Sequence, residues 1–413
     1  MNVNNKTSQI NILASFYLAF IFSLNLFFNE NLFSPITFLI FILCVLILIF
    51  KDIHNSLTST KILILILIFI SLSSPTRDWD ARSIWMFHGK EIFYENNLFA
   101  QFDNYGFQNE YPIFISYYAA QLARMIGSWN EIFPKLSTLL IAIPSIIYLS
   151  GKAKNKFHEL IIIFLYTFFF GKSLINGEAD ALLGLYFTSI FFFIFLNHKQ
   201  LNLKSKNALN ILFLISLIII FSNLKTNSFV LFVILLISVF LFLKNKSKIK
   251  NLLIISFFSL IPLSYFRYNV FMQDLTGIFF NSFFEVNFFQ ILTNFSELLI
   301  IINEIFINKY FLFTLIFFFI FIFLNKKIFL KKEKNHYVIK FNKSFNFLFA
   351  AIFIYSLHVI FLITVLMILS SEIYFDVVVL SLKRYMFPIL FFLSYLIVYA
   401  TFNPNLKNQL NAK

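Results

Sequence analysis

Residues 35–50 read PITFLIFILCVLILIF and contain no charged side chain. A helix needs about 20 mostly apolar residues to cross about 30 Å of hydrocarbon, so this run crosses only together with its polar flanks or in a thinned bilayer. Its Leu, Ile and Phe residues are continuous, whereas a membrane β-strand alternates apolar and polar residues. The run therefore predicts a membrane-spanning helix.

Eleven further runs of the same kind extend along the chain. They lie at residues 10–28, 61–73, 133–150, 158–170, 181–196, 208–222, 228–243, 251–265, 310–324, 345–369 and 385–402. With 60% hydrophobic and only 13% charged residues, the composition excludes a soluble globular protein. We predict an all-α polytopic membrane protein of about 12 transmembrane helices. It forms a single membrane domain over residues 1–413, with no soluble C-terminal domain.

Basic residues divide unevenly between the two sides of this predicted topology. Of 33 basic and 19 acidic residues, 22 basic and 3 acidic ones fall on the side that carries both termini. By the positive-inside rule that side is cytoplasmic. The sequence therefore predicts a multi-pass plasma membrane protein, placed in the inner membrane of a bacterium, whose net charge of +14 indicates topology and no nucleic acid partner. All five arginines fall on the outer side, at positions 77, 82, 124, 267 and 384.

Two large outer loops result, at residues 74–132 and 266–309. Each contains an apolar stretch broken by charges, Tyr111 to Ile126 in the first and Phe279 to Ile307 in the second. Counting the first stretch as a span would move every later lysine-rich loop to the outside. We therefore predict amphipathic helices that lie at the outer interface.

The first outer loop opens with Asp78-Trp79-Asp80. A stripe of residues at helical spacing follows, so a helix is predicted to begin directly after the acids; the stripe consists of Ala81, Ile84, Trp85, His88 and Ile92. An N-cap role accounts for one of the two aspartates. It does not account for the second aspartate, nor for the arginines and the histidine between residues 77 and 88.

Further charges fall on the same predicted side. Glu178 and Asp180 occupy a short outer turn, where capping is the simpler role, and Lys225 occupies another turn. Lys383 and Arg384 stand at the entrance of the last span, where they act as snorkelling anchors or as phosphate ligands. Carboxylates and cations at headgroup depth suit group transfer from a lipid-linked phosphate to a hydroxyl. The leaving phosphate needs cations but no general acid, and one carboxylate serves as base. The remaining acids leave room for an optional divalent metal, Mg²⁺ or Mn²⁺.

Three runs carry a family resemblance: Trp79-Asp80-Ala81-Arg82-Ser83-Ile84-Trp85-Met86-Phe87-His88-Gly89-Lys90, Tyr111-Pro112 and Ile132-Phe133-Pro134-Lys135-Leu136. Together they resemble the first outer loop of the GT-C glycosyltransferases, which use polyprenyl- or dolichyl-phosphate sugars and include protein mannosyltransferases and lipid A aminoarabinose transferases. The resemblance implies the GT-C fold. The sequence departs from the family pattern at Gln108-Asn109-Glu110, at Lys225-Thr226-Asn227-Ser228 and at His88, where lysine is commoner.

The resemblance also implies residue roles. Asp80 is the catalytic base, and Asp78 completes a D-x-D pattern beside it. Glu178 and Asp180 contact acceptor or metal, the metal candidates being Asp78, Asp80 and Asp180. Donor phosphate is assigned to Arg384, Lys383 and Lys225. The substrate-loop candidates are Arg82, Trp85, His88, Lys90, Glu110 and Tyr111.

The leading hypothesis is an inverting glycosyltransferase that moves a sugar from a polyprenyl-phosphate sugar lipid to an acceptor glycan, lipid or protein. The reaction takes place at the outer, periplasmic face, among membrane lipids. A flippase or transporter of lipid-linked saccharides is one alternative, although no internal repeat is seen and the charges cluster in loops. An O-antigen polymerase or ligase is another, to which the second outer loop gives weak support.

Overall fold

The computed structural model describes residues 9–28, 35–50, 58–73, 75–76, 81–102, 109–197, 208–242, 246–273, 275, 295–324, 330–333, 336–339, 343–370 and 375–403. Its helices are α1 Gln9–Phe28, α2 Pro35–Phe50, α3 Thr58–Ser73, α4 Phe87–Glu95, α5 Phe114–Ile126, α6 Phe133–Ser150, α7 Lys156–Asn176, α8 Ala179–Asn197, α9 Ala208–Ser222, α10 Ser228–Phe242, α11 Lys246–Met272, α12 Phe295–Ile307, α13 Lys309–Leu324, α14 Lys343–Ser370 and α15 Phe375–Phe402. A π-helical segment, Ala81–Met86, leads into α4, and a 3₁₀ turn covers Ala100–Phe102. Strands β1 Leu330–Glu333 and β2 His336–Ile339 form an antiparallel hairpin with Leu330 opposite Ile339.

All twelve predicted apolar runs coincide with helices. Six of these helices, α1, α6, α7, α8, α11 and α15, are long and apolar enough to cross a membrane. A seventh crossing results if α12 and α13, which meet at an angle of 54°, count as one. Shorter apolar helices supply the other predicted spans. The structure is thus essentially all-helical with several candidate spans, and the exact number of twelve stays a prediction.

The chain divides into two compact units, Met1–Val230 with Asn245–Gly277 and Leu231–Lys244 with Ile278–Lys413. The centre of the first unit is α8, whose residues are buried almost throughout. It is apolar on all sides, as expected of a helix surrounded by other helices. Hydrogen bonds join it to α6: Tyr186 Oη donates to the Ile141 carbonyl at 2.8 Å, and Ser145 Oγ donates to the Leu185 carbonyl at 2.9 Å. Such bonds hold helices together where lipid gives no hydrophobic drive.

The first turns of α3 and α7 are in contact. This agrees with the predicted topology, in which both helices begin on the cytoplasmic side. Glu159, in the first turn of α7, accepts hydrogen bonds from the main-chain N and the Oγ1 of Thr60, each at 2.8 Å. An N–H in the first turn of a helix has no partner within that helix, so a buried carboxylate is stabilised there. This contact explains one of the few acids on the predicted cytoplasmic side.

The stretch predicted to lie at the interface, Tyr111 to Ile126, contains a helix that is mostly buried in protein. Every residue of α5 from Phe114 to Ala123 is buried, and α5 contacts α2, α4 and α6. Two of its polar side chains bond to distant main-chain carbonyls. Tyr118 Oη donates to the Leu18 carbonyl at 2.6 Å, and Arg124 Nη2 donates to the Ile92 carbonyl at 2.7 Å. The stretch is helical, as the sequence predicts, and most of α5 contacts protein. Its position at the outer interface stays a prediction. Of the second stretch, residues 279–294 lie outside the described residues.

Candidate functional site

A helix begins at Ala81, as the sequence predicts. The five residues of the predicted stripe, Ala81, Ile84, Trp85, His88 and Ile92, are all buried. The first six residues are π-helical. This conformation is rare in proteins as a whole, but where it occurs it is often at a functional site. This segment contacts α5 and α6. Asp78 and Asp80 lie outside the described residues, so their assignment as base and neighbour stays a prediction.

A buried ion pair joins two of the predicted outer turns. Asp180, in the first turn of α8, accepts a hydrogen bond from Lys225 Nζ at 3.0 Å, and both side chains are buried. Isolated charges at such depth cost several kcal/mol each, so each group stabilises the ionised form of the other. The prediction assigned Lys225 to a donor phosphate and Asp180 to acceptor or metal. The structure instead pairs them with each other.

Glu178 is held beside this pair by the end of α7. Ser173 Oγ donates to Glu178 Oε2 at 2.7 Å, and the main-chain N of Glu178 donates to the Ser173 carbonyl at 3.0 Å. The sharp turn between α7 and α8 needs Gly177, whose φ of 86° lies in the left-handed region that glycine adopts readily. The turn thereby points Glu178 inward, where it is buried.

Lys135 completes this group of charges, although the sequence analysis did not list it as a site residue. A Cβ added to Gly177 would lie 3.3 Å from Lys135 Cβ and 3.7 Å from Thr138 Oγ1, so the turn packs directly on the start of α6. Lys135 is fully buried, and Thr138 Oγ1 is buried with no hydrogen-bond partner in the part of the chain that the structure describes. A lysine inside the first turn of an apolar helix, directly after Pro134, was the available sequence signal. We call Lys135, Glu178, Asp180 and Lys225 the outer polar cluster.

The substrate-loop candidates fall into two groups. Arg82 and Lys90 are exposed, and the Arg82 guanidinium lies 3.6 Å from Glu131 in a solvent-facing pair that contributes little stability. Trp85 and Tyr111 are buried with ring centroids 5.7 Å apart. The structure thus joins the two aromatic candidates across the loop and leaves the two cationic ones at the surface.

His88 is held by a carboxylate on its own helix. Its Nδ1 lies 3.0 Å from Glu91 Oε2, one turn further along α4. The other ring nitrogen, Nε2, is buried and has no hydrogen-bond partner among the described residues. Because Glu91 fixes the ring, Nε2 is presented in a constant direction, the arrangement in which histidine accepts or donates a proton. Glu91 was missed because its spacing from His88 becomes meaningful only once the helix is established.

Glu110 lies in an environment that disfavours its charge. Burial raises the pKa of its carboxyl above the ordinary value of 4.5, and the positive charges of Arg267 and His88 partly oppose this rise. Arg267 Nη1 also donates to the Glu110 main-chain carbonyl at 2.9 Å, which ties α11 to the first outer loop. Glu110 is therefore a carboxyl that takes up a proton more readily than an exposed one.

Replacing Glu110 by glutamine is expected to raise the unfolding temperature near neutral pH. With a raised pKa, the folded protein binds the Glu110 proton more tightly than the unfolded chain does, so stability falls as pH rises from 4.5 through the folded-state pKa. Glutamine does not ionise, so the variant does not lose this stability as the pH rises. The difference in unfolding temperature between variant and wild type should vanish at and below pH 4.5. Unfolding temperatures measured in detergent at both pH values test this. Glu95→Gln, at an exposed position of α4, is the matched control, and an equal effect in both variants would contradict the account.

The metal candidates find little support in the described residues. Among them, no group of three or more His, Cys, Asp or Glu side chains is arranged to hold a metal ion. Asp180 is bound to an ammonium group instead, and a divalent cation would have to displace Lys225. The described donors therefore do not fit a metal, and we derive no step through one.

Arg384 belongs to the second unit, where it is half-buried at the start of the apolar part of α15. The side chain of Lys383 lies outside the described residues. No protein-family model, curated protein or solved structure matches the chain. The resemblance to GT-C enzymes therefore rests on sequence motifs, chiefly those of residues 78–136 and more weakly those of residues 176–181 and 383–388.

Proposed function

We propose that this protein is an inverting glycosyltransferase of the GT-C type. It transfers a sugar from a polyprenyl-phosphate donor to an acceptor hydroxyl at the predicted outer face of the plasma membrane. The observation that carries the proposal is the outer polar cluster, two buried lysines and two buried carboxylates at the starts of α6 and α8 and in the turns before α8 and α10. Desolvation is costly for ionised groups, so a buried cluster of this size is typical of a functional site.

The position of the buried charges favours transfer over transport. Charged side chains that are buried in the described residues are Lys135, Glu159, Glu178, Asp180 and Lys225. Each lies at a helix end or in a turn, and four of them lie on the predicted outer side. A transporter is expected to carry such groups at mid-span, where the substrate is bound between alternating openings. The distribution supports chemistry at one face of the membrane.

The proposed reaction assigns one task to each part of the site. Asp80 accepts the proton of the acceptor hydroxyl as the oxygen attacks the sugar carbon, and the bond to the donor phosphate breaks with inversion. The phosphate leaves as a stable anion that cations stabilise. Lys225 Nζ donates a hydrogen bond to Asp180, and we assign the carboxyl groups of Glu178 and Asp180 to sugar or acceptor hydroxyls. The segment that follows Asp80 in the chain contacts α6, the helix that carries Lys135.

A transfer assay in proteoliposomes tests the proposal. The purified protein is supplied with a polyprenyl phosphate that carries a radiolabelled sugar, together with candidate acceptors from a bacterial envelope extract. We expect the label to leave the lipid and polyprenyl phosphate to accumulate. Movement of the intact labelled lipid across the bilayer, with no release of sugar, would favour the flippase alternative instead.

A further inference from the structure

Helices α12 and α13 of the second unit meet at a bend that buries one side chain. The axes differ by 54°, and the break falls at Asn308. Asn308 is only 4% exposed. Its Oδ1 accepts a hydrogen bond from the main-chain N of Tyr310 at 2.9 Å and so caps α13. Its Nδ2 is buried and has no hydrogen-bond partner in the described part of the chain.

Capping of α13 uses only the Oδ1 atom of Asn308 and does not need its Nδ2 donor. Aspartate would cap the helix equally well without burying a donor. A buried donor that makes no hydrogen bond costs about 1–3 kcal/mol. Such a group calls for a partner, and the partner must be an acceptor located at the N-terminal end of α13.

The start of α13 lies beside the start of the apolar part of α15. The rings of Tyr310 and Phe387 lie 4.2 Å apart, and Thr314 and Ser394 share a hydrogen bond at 3.0 Å. The later residue of α13, Thr314, contacts the later residue of α15, Ser394, so the two helices run in the same direction. Arg384 precedes Phe387 by one turn and shares its face of α15. The N-terminal end of α13 and Arg384 are thus neighbours at the same level.

This end of α15 is held in place by α14. Pro388, in the middle of α15, has no N–H to donate and interrupts the helical hydrogen-bond ladder next to Tyr385. His358 of α14 contacts the freed region, with its Nε2 3.1 Å from the Tyr385 carbonyl. The position of Arg384 relative to α13 is therefore fixed by two neighbouring helices.

We propose that the bend at Asn308 binds the phosphate group of a membrane lipid. The N-terminus of a helix carries a partial positive charge and unpaired N–H groups that bind anions. Asn308 Nδ2 adds a neutral donor, and Lys309 and Arg384 add two full positive charges. Among the described residues of α12 next to the bend, Glu304, one turn earlier, is the opposing charge. The inference deepens the proposed function, on which it rests for the identity of the lipid as a polyprenyl-phosphate donor.

The substitution Asn308→Asp tests the site without removing the cap. Aspartate keeps the oxygen that accepts from Tyr310 but replaces the Nδ2 donor by a negative charge. We expect the affinity of the purified full-length protein for undecaprenyl phosphate, measured by native mass spectrometry, to fall by at least about 10-fold. Asn308→Ser replaces the amide donor by a shorter hydroxyl without adding charge, so we expect it to lower the affinity by a smaller factor. Asn269→Asp, whose Nδ2 donates to the Tyr265 carbonyl on α11, is the matched control and should bind like the wild type.

Competition identifies the source of the phosphate. If phosphatidylglycerol or inorganic phosphate displaces the probe as well as unlabelled undecaprenyl phosphate does, the site recognises phosphate in general. If neither displaces it, the polyprenyl chain contributes. Equal binding by wild type, Asn308→Asp and Asn308→Ser would overturn the inference. Loss of binding in Asn308→Asp, with no sugar transfer by the wild type, would support the phosphate site and reject the glycosyltransferase.

Discussion

Replacing Lys225 by methionine is expected to lower the free energy of unfolding by about 3–5 kcal/mol, because it leaves the buried carboxylate of Asp180 without its partner. The two groups lie 3.0 Å apart, and both are buried. Methionine matches the length and apolar stem of lysine, so the change removes the charge more than the packing. The midpoint of thermal or denaturant unfolding in detergent reports the loss.

Two further variants separate the ion pair from other effects. Lys172→Met removes an exposed lysine near the end of α7 and is expected to change stability little. Lys225→Met combined with Asp180→Leu removes both charges, and most of the lost stability should return because no charge remains buried alone. If Lys225→Met alone unfolds like the wild type, the pair is not buried as described.

The largest expected effect on activity comes from Asp80→Asn. Loss of a general base lowers rates by about 100- to 10,000-fold. Asparagine has nearly the same shape as aspartate but cannot accept the proton of the acceptor hydroxyl. Asp103→Asn, a matched change in the same outer loop at a position with no assigned role, is expected to transfer sugar at the normal rate.

The helices could be predicted from the sequence because their signal is local. The runs of Leu, Ile and Phe fix where each helix lies, and the stripe from Ala81 to Ile92 predicts both the helix start and its buried face. Burial of α5 could not be predicted in this way. A periodic pattern shows that a helix has two faces, but the partner of each face is decided by distant segments. Tyr118 reaches Leu18 of α1, one hundred residues earlier in the chain.

The sequence identified most residues of the candidate site but not the contacts between them. Glu178, Asp180 and Lys225 were all identified as polar residues at outer turns, and the structure brings Asp180 and Lys225 together. A lysine serves a carboxylate or a phosphate equally well, so the sequence could not decide between them. Lys135 was missed as a site residue because its burial depends on the turn at Gly177, which packs on α6 from elsewhere in the chain. Asn308 carries no motif, and its role becomes visible only with the bend.

The rate of sugar transfer by Asp80→Asn protein, relative to wild type and to Asp103→Asn, tests the central claim most directly. All three proteins are reconstituted at equal amounts and supplied with the same labelled polyprenyl-phosphate sugar. The account predicts transfer by the wild type and by Asp103→Asn, and a loss of about 100-fold or more in Asp80→Asn. Transfer by Asp80→Asn at the wild-type rate would contradict it.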